Sequence, residues 1–209
     1  MEQKPSGGSI ILDDFIQGCR LLIIYQLERN YIMRQLSCDP NVEVSGRNVL
    51  AILENMQAED IRPYAEKYGL TEIDPQQWYP AQDWLSLMND LAQNTNFMQN
   101  IVAIGMAVAE NVHLPPNMDC FIKFLNMWDD IYHMQHRGGE IGNHHVKKID
   151  DSYYEVSFTD IYPDLLSYGI AHGFARRLLP KGTFVKIWYD ENVRRQDEND
   201  ELTVMYLQW

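Results

Sequence analysis

Residues 118–158 read MDCFIKFLNM WDDIYHMQHR GGEIGNHHVK KIDDSYYEVS F, and within them the hydrophobic period changes from that of a helix to that of a strand. Met118, Phe121, Leu125, Trp128 and Tyr132 step by three or four and form one apolar stripe. Pro115-Pro116 stops whatever precedes this helix, and Asn117 is placed to cap it. Beyond the glycine-rich stretch Arg137-Gly138-Gly139-Glu140-Ile141-Gly142, Tyr154, Val156 and Phe158 alternate with Glu155 and Ser157. Together with His145 to Ile149 across Asp150-Asp151-Ser152, they predict a β-hairpin. A helix that delivers the chain into a hairpin makes an α+β fold.

Working outward toward the C-terminus, Pro163-Asp164 opens a helix that runs to about Leu179, where Pro180-Lys181-Gly182 ends it. Val185, Ile187 and Tyr189, then Leu202, Val204 and Tyr206, predict two more strands around the acidic connection Glu191 to Glu201. The second half therefore reads strand-strand-helix-strand-strand, an antiparallel sheet with one helix between its hairpins. Toward the N-terminus the reading is helical. Phe15, Ile16, Cys19, Leu22, Ile23, Leu27 and Tyr31 give an amphipathic helix from Asp13 to about Leu36, broken by Asp39-Pro40-Asn41. Ser45-Gly46 begins a short helix, another ends at Gly69, and Trp84, Leu87, Met88 and Leu91 mark a helix between Pro80 and Gln93. The stretch Phe97 to Val112 is apolar nearly all round, as a central helix is, with Gly105 admitting a close neighbour. The expected organisation is an N-terminal helical extension over residues 1–72 and an α+β domain over residues 73–209.

Composition narrows the function. The 209 residues are 45% hydrophobic and 22% charged, as a globular chain is, and 17 Lys+Arg against 30 Asp+Glu leave a formal net charge of −13. Such a field repels phosphate backbones, so nucleic acid is not an expected partner. Cys19, Cys38 and Cys120 are odd in number, widely spaced and without a C-x-x-C, which points away from a disulfide framework and toward a reducing cytoplasmic setting. The first residues lack the basic region and cleavage site of a signal peptide, and no apolar run approaches the roughly 20 residues of a membrane span.

No nucleophile–base pair or paired carboxylates can be placed, so no catalytic residue is assigned and the chain is not expected to be an enzyme. Four of six histidines, His133, His136, His144 and His145, fall in one window, but the basic residues equally serve the helix dipole and the glycines the helix end; no metal ligand is assigned. Asp129 lies about 60° from the centre of the Trp128/Tyr132 stripe, inside its edge, while Asp130 points away. A carboxylate there needs a partner, and His133 at i+4 and Arg137 through the loop are the nearest; the group is either a polar anchor in a pocket or a structural ion pair. Gly169 and Gly173 leave a smooth helix face over which a sheet or a flat ligand can lie.

The order of elements, with Trp78-Tyr79-Pro80, Asp129-x-x-His133-x-x-His136-Arg137-Gly138 and Tyr162-Pro163-x-x-x-x-Tyr168-Gly169, resembles the superfamily that joins haem-nitric-oxide-binding sensors, 4-vinyl-reductase domains and Golgi-transport tethering subunits. The resemblance covers about residues 78–209. It implies a helical half packed on an antiparallel sheet, a hydrophobic ligand such as haem or an acyl chain held between them, and a sensor or assembly role. In the haem branch a helix histidine is the axial ligand, and His133 or His136 is the nearest candidate here. Two departures stand out: Tyr153 to Thr159 lacks the arginine of the Tyr-x-Ser-x-Arg motif, and the clustered cysteines of many 4-vinyl-reductase domains are missing.

The expectation is therefore a noncatalytic sensor or regulatory domain binding a small hydrophobic ligand between helices and sheet. Trp128, Asp129, Tyr132, His133, His136, Arg137, Gly169 and Gly173 are its candidate ligand-binding residues. The alternative is a protein-interaction module, a homodimer or adaptor working through the N-terminal amphipathic helix.

Overall fold

Ser45 sets the start of the first helix of the described chain. Its hydroxyl accepts from the Asn48 amide (3.3 Å), capping helix α1 (Gly46–Leu53) where strand β1 (Glu43–Ser45) ends. The computed structural model describes residues 34–54, 58–93, 95–112, 114 and 118–209, without the side chains of 58–60, 95–99 and 111. The amphipathic stretch from Asp13 falls almost wholly outside these residues, and its predicted end, residues 34–36, is not helical. Helix α2 (Ala58–Tyr68) ends at Gly69, whose φ of +70° is the left-handed conformation that favours glycine. Strand β2 (Trp78–Pro80) runs straight into helix α3 (Ala81–Ala92), which buries Trp84, Leu85, Leu87, Met88 and Leu91.

Helix α4 (Thr95–Asn111) precedes α5 (Phe121–Met134), whose buried residues Phe121, Phe124, Leu125, Trp128 and Tyr132 are the predicted stripe with Phe124 added and without Met118, which precedes the helix. The start of α5 differs from expectation: Cys120, in extended conformation, occupies the cap position without a side-chain bond, three residues beyond Asn117. Strand β3 (His136–Arg137) follows at once. It pairs with β1, which also pairs with β2, giving a three-stranded sheet in the order β2-β1-β3. Strands of two or three residues are too short to show alternation, so the sequence carries no sign of them.

The predicted hairpin is β4 (Asn143–Asp150) and β5 (Tyr153–Thr159), with His144 opposite Phe158 and a register shift between Lys148 and Asp150. Helix α6 (Asp164–Leu178), β6 (Lys186–Tyr189) and β7 (Thr203–Gln208) complete the strand-strand-helix-strand-strand order. The four strands are antiparallel in the order β4-β5-β7-β6, so the last strand inserts between the hairpin and β6. Tyr154, Val156 and Phe158 face inward from β5, and Thr203, Met205 and Leu207 from β7; the alternating set Leu202, Val204 and Tyr206 that marks the strand lies on the other face.

The central helix is α6. Residues 160–175 are buried at every position except Ile170, whereas α4 exposes Ala103 and Glu110. Small residues allow this. A Cβ on Gly105 would stand 2.5 Å from the Leu166 carbonyl oxygen and 3.0 Å from the Gly169 Cα, so α4 and α6 meet backbone to backbone. The described residues form one compact unit, and β1 ties residues 43–45 to strands on the far side of residue 72. The short sheet therefore joins residues on both sides of the boundary expected at 72.

Candidate ligand-binding site

The stripe of α5 lays a row of rings against α6 and the inner face of the larger sheet. Phe124 stacks on Phe174 (centroids 3.8 Å apart, 24°) and lies 5.1 Å from Trp128. Phe121 meets Trp209 edge-on at 5.1 Å, and Trp209 stacks on Tyr154 at 5.4 Å. Trp128 stacks on the His144 imidazole (5.3 Å, 16°), which stacks in turn on Phe158 (5.6 Å, 23°). Offset stacks and edge contacts are the arrangements the ring quadrupole favours. The helix–sheet interface is therefore one aromatic layer running from Trp209 to His144.

A buried polar cluster closes the layer at the last turn of α5. The Tyr132 hydroxyl donates to the Ile141 carbonyl (2.6 Å) and accepts from the Ile161 amide (3.3 Å), fastening helix to loop and hairpin exit. His136 Nδ1 lies 2.8 Å from the Tyr132 carbonyl oxygen, which can only accept, so Nδ1 carries the proton and Nε2 accepts from the Tyr162 hydroxyl at 2.8 Å. Tyr162 Oη in turn accepts from Asn48 Nδ2 (3.2 Å). Burial holds His136 down to about 4, hence neutral. Burial, then the charge of Asp160, pushes the Tyr132 and Tyr162 hydroxyls far above their ordinary range. Asp160 accepts from the Tyr162 amide (2.8 Å) and the Ser167 hydroxyl (2.9 Å), and His144 Nε2 stands 3.5 Å from it. The cluster holds its protons in fixed places; it presents no activated nucleophile.

The structure brings Trp128, Tyr132 and His136 together, leaves Asp129 and His133 at the exposed edge of this group, where the His133 ring meets Tyr132 edge-on at 5.7 Å, and places Arg137, Gly169 and Gly173 elsewhere. Asp129 is 38% exposed and accepts from the His144 amide (2.6 Å), with His133 Nε2 3.7 Å away, so it anchors the start of β4. Arg137 does not reach it. Its guanidinium pairs with Glu43 (2.6 Å) and lies over the Trp78 ring, because the β1–β3 pairing turns the residue outward on the small sheet. Gly169 and Gly173 face α4, where the sequence suggested a sheet or a flat ligand: a Cβ on Gly173 would meet the Met106 carbonyl oxygen at 2.5 Å and Ala109 Cβ at 2.7 Å, and one on Gly169 would strike the Val102 carbonyl. The two glycines pack helix on helix.

Neither histidine proposed as an axial ligand is arranged to be one. His136 has both ring nitrogens engaged, and His133 is 45% exposed, held by Asn143 at 3.3 Å. His145 is exposed on β4, and among the described residues no group of three His, Cys, Asp or Glu side chains converges to hold a metal. Phe124, Phe158 and Phe174 in the layer and His144, Asp160 and Tyr162 at its end were not among the candidate ligand-binding residues. Tyr162-Pro163 stands in the motif that carries the resemblance, and His144 is buried by strand alternation opposite Phe158. Asp160 carries no local signal at all.

Three solved structures place the fold. An H-NOX protein from S. oneidensis in the Fe(II)NO ligation state matches with TM-score 0.58 at 14% identity, over 78% of this chain and 98% of that one. The SO2144 H-NOX domain from Shewanella oneidensis in the Fe(II)CO ligation state matches with TM-score 0.56 at 12% identity, over 79% and 97%. An Fe(II) unliganded H-NOX mutant from K. algicida matches with TM-score 0.57 at 10% identity, over 78% and 95%. No protein-family model and no curated protein sequence matches the chain. The chain has a haem-nitric-oxide-binding-like, α+β fold, as the order of its elements implies. Among the described residues, no helix is long and apolar enough to cross a membrane.

Proposed function

We propose that this chain is a noncatalytic sensor or regulatory domain that binds a small hydrophobic ligand between α5 and the sheet. The observation that carries the reading is the continuous aromatic layer from Trp209 through Phe121, Phe124 and Trp128 to His144, ended by the polar cluster of His136, Tyr162 and Asp160. An apolar wall with a few fixed polar groups at one end is the composition of small-molecule sites. The neighbours of this fold carry iron with bound NO or CO, which supports a ligand-binding role. The residues described do not fit a haem held by His133 or His136, so the ligand we propose is an apolar molecule not held by either of these histidines.

Freshly purified protein examined by native mass spectrometry, then titrated with palmitate while Trp fluorescence is followed, tests the reading. Added mass of a few hundred daltons, or saturable quenching lost in Trp128→Leu, is expected. A bare-chain mass with no saturable response to palmitate would overturn it, and a dimer of bare chains would favour the interaction module acting through the stretch that starts at Asp13. A haem absorbance band abolished by His136→Ala would restore the axial-ligand assignment.

A further inference from the structure

The outward face of the four-stranded sheet carries rings of its own. Tyr153 on β5 lies 5.9 Å from Trp188 on β6 (17°) and 5.8 Å from Tyr206 on β7 (41°), and Trp188 lies 5.6 Å from Tyr206 (32°). Trp188 and Tyr206 are direct cross-strand partners, whereas their neighbours Ile187 and Leu207 point into the core. All three rings are half-buried, so each leaves part of its area to solvent. They form a platform, since none of the rings stands upright against another.

Two carboxylates flank the platform, and a cation already rests on it. Glu155 stands opposite Tyr206 in the β5–β7 pairing, and the Tyr206 hydroxyl donates to Asp190 Oδ2 at 3.0 Å. The Asn192 amide and the Tyr206 hydroxyl hold the Asp190 carboxyl below its ordinary range, so it is charged at neutral pH. Lys186 Nζ lies 4.6 Å from the centroid of the Trp188 ring, within reach of a cation–π contact. The chain thus sets one of its own cations on these rings. Glu155 has Lys147 Nζ 3.8 Å away, but that side chain is 70% exposed and its hold is weak.

We propose that this face docks an extended, arginine-bearing segment of a partner protein, with guanidinium planes lying on Tyr153, Trp188 and Tyr206 and their charge meeting Glu155 and Asp190. Inclined but nearly parallel rings suit a planar guanidinium, which stacks flat and gives a carboxylate two N–H groups at once; a compact ammonium does neither. Alternate side chains of an extended segment stand about 7 Å apart on one face, close to the spacing of the rings. A net charge of −13 draws a basic segment in and repels nucleic acid, the other planar guest of aromatic sheet faces. The platform and the aromatic layer lie on opposite faces of the sheet, so this surface stands whether or not the layer accepts a ligand.

Calorimetric titration of the full chain with a peptide alternating arginine and serine, and with its lysine counterpart, tests the proposal. The arginine peptide is expected to bind about fivefold more tightly than the lysine one. Trp188→Ala and Glu155→Gln are each expected to weaken it by about fivefold or more, whereas Glu110→Gln, the same charge change at an exposed site on α4, should stay within about twofold. Lys186→Gln is expected to tighten binding, because it clears the Trp188 ring. Equal affinity for the two peptides, or equal losses in Glu155→Gln and Glu110→Gln, would mean that net charge alone attracts the peptide and would overturn the proposal. So would the lack of binding to either peptide, or binding of the neutral sugar cellohexaose in their place. If Trp188→Ala does not fold, Glu155→Gln and Lys186→Gln, which leave the rings in place, decide between the same outcomes.

Discussion

The Tyr162 hydroxyl donates to His136 Nε2 across 2.8 Å, and it does so because the opposite nitrogen of the same ring is committed to the Tyr132 carbonyl. One bond thus joins the exit of the hairpin to the residue that leaves α5. Tyr162→Phe is expected to leave the buried acceptor of His136 without its donor and to cost about 1–3 kcal/mol in urea melts. The double variant Tyr162→Phe/His136→Phe is expected to cost less than the sum of the two single changes. Strict additivity would show that the pair is not coupled.

Acid should weaken the fold through two histidines. Burial holds His136 and His172 down to about 4, against 6.5 for the unfolded side chain. Between those values the unfolded chain binds the extra proton, so stability rises with pH across the window and is lost as pH falls from 6.5 toward 4. Each histidine accounts for up to about 3 kcal/mol. The Asp164 carboxyl, which burial raises well above its ordinary range, acts in the opposite sense but is common to parent and variants, so His136→Gln and His172→Gln are each expected to flatten the slope measured by melts at successive pH values. Slopes equal to the parent's would refute the assignment.

The crossing of α4 and α6 leaves no room for side chains. Gly173→Leu, placed against the Met106 carbonyl and Ala109, is expected to destabilise by about 1–3 kcal/mol or more, although leucine is the better helix former. Thermal melts check this; a Gly173→Leu protein as stable as its parent would mean that the face is open.

Asp129 and Asp130 are adjacent and should behave differently. Asp129→Ala removes the acceptor of the His144 amide (2.6 Å) and is expected to cost about 1–2 kcal/mol, whereas exposed Asp130→Ala should stay within about 0.5 kcal/mol. Equal effects in urea melts would contradict the helix register.

How much of this was legible in the chain follows the range of the interactions. The stripe of α5, the hairpin turn at Asp150-Asp151-Ser152, the stop at Gly69 and the cap at Ser45 depend on neighbours within a few residues, and each lies where spacing and turn chemistry place it. Trp128, Tyr132 and His136 converge because they share one helix and its first residues beyond. Asp129 is on the predicted side of the stripe, but the group it binds is a strand amide, which no spacing rule names.

What the sequence determined by itself is the order of the longer helices and strands, because helix and strand periodicity are local; the short strands of the small sheet leave no such mark. Partners across the fold were settled by tertiary packing alone. Arg137 turned to Glu43 because three segments distant in sequence pair as the small sheet, and Gly169 and Gly173 met α4 because only that helix comes close enough to need them. Asp160 shows the limit most plainly. A lone acid after a strand reads as surface, and only the folded chain, by bringing Arg34, His144 and Ser167 around it, makes its burial tolerable.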